Sequence, residues 1–151
     1  MIQRIQSVYL LLITALCIWA ASAPVGVFTQ DGLPVAEMNN LWLTYADGVR
    51  SYAPWAMFVL LALAALLSFT AIFLFRRRML QVRLCIFTGL LLIGYYIAYG
   101  AFIYIIGQQS EASFTLSWTT SFPAVSLILT YLAFRAVMRD ELIVRSLDRL
   151  R

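Results

Sequence analysis

The sequence predicts an all-α membrane protein: a four-transmembrane-helix bundle with a small β-sheet cap on its outward side and a cytoplasmic C-terminal helix. Three observations predict it. Of 151 residues, 63% are hydrophobic and 12% charged, whereas soluble domains are nearer half apolar and a quarter charged. The apolar residues fall in four long blocks instead of at the periods of amphipathic elements. All eleven basic residues are arginines, and they sort almost entirely to one side of those blocks.

A bilayer core about 30 Å thick takes roughly 20 apolar helical residues to cross, and residues 8–27, 54–75, 84–106 and 117–137 satisfy this. Together with a cytoplasmic tail at 138–151 they make one membrane domain. The first block follows Arg4 and contains Ala21-Ser22-Ala23, which imitates a signal-peptide cleavage site. Pro24 follows immediately and disfavours processing, so the block is read as a retained first helix.

Between the first and second blocks, Asp31-Gly32, Asn39-Asn40 and Asp47-Gly48 separate short β-prone runs at 33–38 and 41–45. Residues 112–118 alternate Phe114, Leu116 and Trp118 with Ser113, Thr115 and Ser117, the period of a half-buried strand. These runs predict the cap. Trp42 and Tyr45 are its candidate partner-binding residues, because exposed aromatics dominate contact energies. Trp55 and Trp118 suit the aromatic belt at a headgroup boundary.

The turn after the second block carries Arg76, Arg77, Arg78 and, further on, Arg83. These are candidates for lipid headgroups, at about 1 kcal/mol each near an anionic surface. The third block is rich in tyrosine. Tyr95 and Tyr99 lie one turn apart on one face, where they either line a ligand groove or hydrogen-bond across helices. Gly94 with Ala98, and Ala64 with Ser68, are small-residue pairs that permit close helix approach.

The tail, with neither Gly nor Pro, reads as a helix. Glu141 with Arg145, and Arg145 with Asp148, are spaced for intrahelical ion pairs, and Ile143, Leu147 and Leu150 form an apolar stripe. A lipid-bound helix would carry a uniformly basic polar face, whereas this one mixes signs. Glu141, Arg145, Asp148 and Arg149 are therefore candidates for binding a partner protein.

Loops rich in positive charge stay cytoplasmic. Ten arginines fall on one side and Arg50 alone on the other, giving about +7 inside and −3 outside once the seven acids are placed. Both termini are expected in the cytoplasm. The chemistry inventory is thin: His is absent, Cys17 and Cys85 are unpaired in spacing, and no acid lies within a block. No catalytic, metal or cofactor site is expected, and the chain reads as non-enzymatic.

The opening Met1-Ile2-Gln3-Arg4-Ile5-Gln6-Ser7-Val8-Tyr9-Leu10-Leu11-Leu12, the four blocks, and the closing Asp140-Glu141-x-x-Val144-Arg145-Ser146-x-Asp148-Arg149-Leu150-Arg151 resemble an uncharacterised four-pass membrane family of Bacteroidota, known only as a domain of unknown function. The resemblance covers the whole chain. It implies the inner membrane of a Gram-negative bacterium, with the outward side facing the periplasm, and assigns no activity. The expected partners are membrane lipids and other membrane or cytoplasmic proteins, with no direct contact to nucleic acid. The expected role is an accessory or structural subunit of a larger assembly. The alternative is a small-molecule or lipid carrier built on the Tyr-rich third block.

Overall fold

The computed structural model describes residues 2–149, so Leu150 of the predicted stripe and Arg151 lie outside the described residues. The elements run α1 (Ile2–Ser22), β1 (Pro24–Gln30), β2 (Leu33–Asn39), β3 (Leu43–Tyr45), β4 (Arg50–Ser51), α2 (Trp55–Phe73), α3 (Arg78–Ser110), β5 (Ser113–Leu116), a 3₁₀ turn (Trp118–Thr120) and α4 (Ser121–Arg149). All four helices are long and apolar enough to cross a membrane.

Local chemistry sets the boundaries. Pro24 lacks an N–H and pushes the preceding residue toward extended backbone, which stops α1. Pro54 sits where α2 needs no donor, and Pro123 lies in the first turn of α4 for the same reason. α3 closes on Glu111, whose left-handed φ of 49° is the usual helix exit.

The helices alternate in direction. α1 packs on α2, α2 on α3 and α3 on α4, and α4 closes the ring against α1. The interior combines large apolar side chains such as Leu10, Ile13, Met57, Leu61 and Leu92 with small and weakly polar ones, among them Cys17, Ala64, Ser68, Thr88, Ser126 and Ala133, all at most 2% exposed. The outer surface carries large apolar groups too, including Leu66, Phe69, Phe87, Ile97 and Ile128. Ala64 and Ser68 lie inside as their spacing suggests, whereas a Cβ on Gly94 would meet nothing within 4 Å. Gly94 therefore marks no close helix approach.

At the end where α1 finishes, a five-stranded antiparallel sheet in the order β4-β3-β2-β1-β5 covers the bundle. Phe28, Ala36, Met38 and Leu43 are buried within it. Asp31 (φ 53°) and Gly32 (φ 80°) turn β1 into β2, the pair of left-handed residues that matches strand twist in a two-residue hairpin. The strands expected at 33–38, 41–45 and 112–118 are β2, β3 and β5, with Trp42 in the turn before β3. Pro24 to Val27 fall within the first apolar block at 8–27, but they open β1, the strand that joins β2 to β5. The misreading has a simple cause: Val25, Val27 and Phe28 prolong the apolar block of α1, and an apolar strand that covers a bundle has no composition of its own. The two-residue β4 was likewise too short to read.

α3 has 33 residues and α4 has 29, about 50 Å and 44 Å of helix. Both exceed a 30 Å hydrocarbon layer. α3 overshoots beside the sheet, and α4 overshoots at the opposite end, where the tail continues it without a break.

Candidate interaction surfaces

The junction between sheet and bundle is polar and is buried around Asn40. Asn40, 1% exposed, donates from Nδ2 to the carbonyl of Ala20 at 2.7 Å and accepts at Oδ1 from the hydroxyl of Tyr95 at 3.0 Å. Ala20 belongs to the last turn of α1, whose carbonyls have no partner within the helix. One side chain thus caps α1 and holds α3. Tyr96 donates to Thr120 O at 2.8 Å, Thr120 donates to Val25 O at 2.9 Å, and the Thr119 hydroxyl reaches Pro24 O. These bonds tie the start of α4 to β1.

Tyr95 is 1% exposed and stacks parallel to Tyr99 with centroids 6.2 Å apart, while Tyr99 meets Phe114 of β5 edge-on at 6.1 Å. Tyr95 makes a hydrogen bond between elements, to Asn40. Tyr99 borders a cavity of about 470 Å³ with Tyr96, Leu116, Trp118 and Ala124, alongside β5. The Tyr cluster is a joint between layers.

On the cap, Trp42 is half-buried. The Arg50 guanidinium lies 5.4 Å from its ring centroid, and Tyr52 meets it nearly edge-on at 6.5 Å. Attraction between the exposed cation and the negative face of the indole favours the arrangement by about 0.5–1 kcal/mol. Tyr45 is exposed at the end of β3. The two residues are brought to the same side strands of the sheet, with Trp42 engaged and Tyr45 open.

At the far end, Arg78 Nε lies 3.4 Å from Asp140 Oδ2, both side chains being mostly covered, and this pins the α2–α3 turn to α4. Asp140 was missed as a site residue because its partner is some sixty positions away and sequence spacing reports only local pairs. Arg145 bonds Glu141 at 3.0 Å, the pair its spacing predicts. Its NH2 group points to Met79 Sδ at 3.9 Å, and the expected Arg145–Asp148 pair is not formed among the described residues. Asp148 and Arg149 are exposed. Leu142, Ile143 and Leu147 are exposed too, so beyond Asp140 the helix projects with its apolar stripe uncovered.

Arg76, Arg77 and Arg78 line a cavity of about 580 Å³ with Glu141 and Val144. Arg83 lies apart on α3, exposed. Gln6, buried, donates to Ala136 O at 3.2 Å and joins α1 to α4 near this end. Between α1 and α2 a cavity of about 490 Å³ opens sideways, lined by residues such as Cys17, Ala21, Ala62 and Ala65. Cys17 and Cys85 are free and buried. No group of three or more metal-ligating side chains occurs among the described residues.

A comparison with curated proteins finds no match to this chain. Residues 2–150 match the family described as "Domain of unknown function (DUF4293)", and the chain belongs to that family.

Proposed function

We propose that this protein is a non-enzymatic integral subunit of a larger assembly in a bacterial inner membrane, of the translocation, insertion or envelope kind. The observation that carries the reading is the apolar outer surface: large groups such as Leu66, Phe87, Ile97 and Ile128 stand exposed around the bundle, while polar Ser68, Thr88 and Ser126 are buried inside it. Such a surface is costly against water and neutral against lipid tails, where helices associate through small residues and interhelical hydrogen bonds. In this reading the arginine-rich end and both termini face the cytoplasm, and the sheet faces the periplasm.

The contact surface for a partner is the projecting end of α4. Leu142, Ile143 and Leu147 are apolar and exposed, and they are flanked by charges of both signs. That pattern suits a groove on a protein, read at helical spacing, better than a uniformly anionic lipid surface. Trp42 and Tyr45 on the cap supply a second, aromatic surface.

The test is purification from the native host in mild detergent through an amino-terminal tag. Replacing Arg145 and Asp148 with Ala is expected to leave the amount of inserted protein unchanged and to deplete a co-purifying protein about tenfold, the loss of one good interface contact. An unchanged set of co-purifying proteins counts against the reading.

A further inference from the structure

The turn between α2 and α3 holds a site that the proposed docking role leaves unused. Its cavity of about 580 Å³ is lined by Phe75, Arg76, Arg77, Arg78 and Met79 from the turn side, and by Glu141 and Val144 from α4. Two basic groups at this end are already neutralised, Arg78 by Asp140 and Arg145 by Glu141. Arg76 and Arg77 have no carboxylate partner among the described residues, and both are exposed. Adjacent guanidiniums present planar pairs of donors that match phosphate oxygens.

The same cavity has apolar walls. Phe75 and Met79 are each about half exposed, and the Arg76 guanidinium lies 5.9 Å from the Phe75 ring centroid. Inorganic phosphate would use only the arginines. A lipid would use both halves. We propose that this cavity binds an anionic glycerophospholipid, with its phosphate on Arg76 and Arg77 and an acyl chain along Phe75 and Met79.

The inference rests on the membrane-inserted reading above and adds a consequence to it. Glu141 and Val144 stand at the root of the projecting part of α4, so a bound lipid braces the docking helix from below. Arg83, which is exposed but lines no part of the cavity, separates a site from general attraction between a basic surface and acidic lipid.

The experiment is native mass spectrometry of the purified full chain in neutral detergent, with phosphatidylglycerol or phosphatidylcholine added at equal mole fraction. Wild type is expected to retain phosphatidylglycerol preferentially. Arg76→Gln with Arg77→Gln should weaken that retention about 30-fold, from two surface arginines each contributing about fivefold, while Arg83→Gln leaves it unchanged. Equal retention of the two lipids by wild type overturns the proposal whatever the variants do. An equal loss in Arg83→Gln overturns it as well, and so does displacement of the lipid by inorganic phosphate. The lipid preference is measured on the purified chain and the partner by co-purification, so either can fail without the other.

Discussion

Asn40 shows how much a single buried amide holds in this chain. It satisfies a terminal carbonyl of α1 and receives the only hydroxyl that Tyr95 has to give. Tyr95→Phe leaves Asn40 Oδ1 buried without a donor and is expected to cost about 2 kcal/mol. Asn40→Ala also removes the 2.7 Å bond to the Ala20 carbonyl, which keeps only the longer 3.3 Å bond from the Ala23 N–H, and should cost somewhat more. Thermal melts in detergent of both single variants and the double variant check this. The double should be less destabilised than the sum of the singles by about 1 kcal/mol, and strict additivity would show that the two side chains do not act through each other. Neither role is legible locally, since Asn39-Asn40 reads equally well as a plain turn and Tyr95 as one of several ring-bearing residues on a helix.

Among the elements, β1 depends on the absence of a side chain at Gly26. A Cβ there would lie 2.7 Å from the Thr115 carbonyl oxygen and would run into the Phe114 ring. Gly26→Ala therefore forces β1 and β5 apart, at an expected cost of about 2 kcal/mol. Adding Phe114→Ala should recover only part of the loss, because the Thr115 contact is with backbone. Tryptophan fluorescence or a melt in detergent reads this, and full recovery in the double variant would place the whole clash on the ring. The helices were easier to read. Their blocks are visible as runs, but the full length of α3 is not, since it extends beyond 84–106 in both directions, whereas the helical tail that continues α4 is legible from its lack of Gly and Pro. Polar residues such as Gln81, Arg83, Gln108 and Gln109 at the two ends of α3 hide its true length in the sequence.

For the whole molecule, the decisive expectation concerns sidedness. Every described arginine except Arg50 lies at the end opposite the sheet. From Arg78 to Tyr95 α3 rises about 25 Å, so the Tyr layer falls near the far boundary of a 30 Å hydrocarbon slab and not at its centre. With Cys17 and Cys85 buried and shielded, Asp47→Cys and Ser146→Cys are suitable reporters. On the proposed insertion, an impermeant maleimide labels Asp47→Cys in cells with a permeabilised outer envelope and labels Ser146→Cys only after the inner membrane is broken. Labelling of Ser146→Cys in unbroken cells would reverse the orientation and remove the tail from cytoplasmic partners.

Four apolar helices, a basic end, a β-prone segment between the first two helices and a helical tail follow from composition and short-range pattern, because apolarity and charge are carried by every residue of a block alike. Turn chemistry did the same for Asp31-Gly32, whose backbone needs are local. The placement of β1 at the joint of the sheet, the pinning of α4 by Arg78 and Asp140, and the assignment of Tyr95 to a buried joint came from the assembled chain alone. Each depends on atoms that are distant in sequence meeting at hydrogen-bond or contact distance. No periodicity in a linear pattern encodes which distant partner a polar group will find.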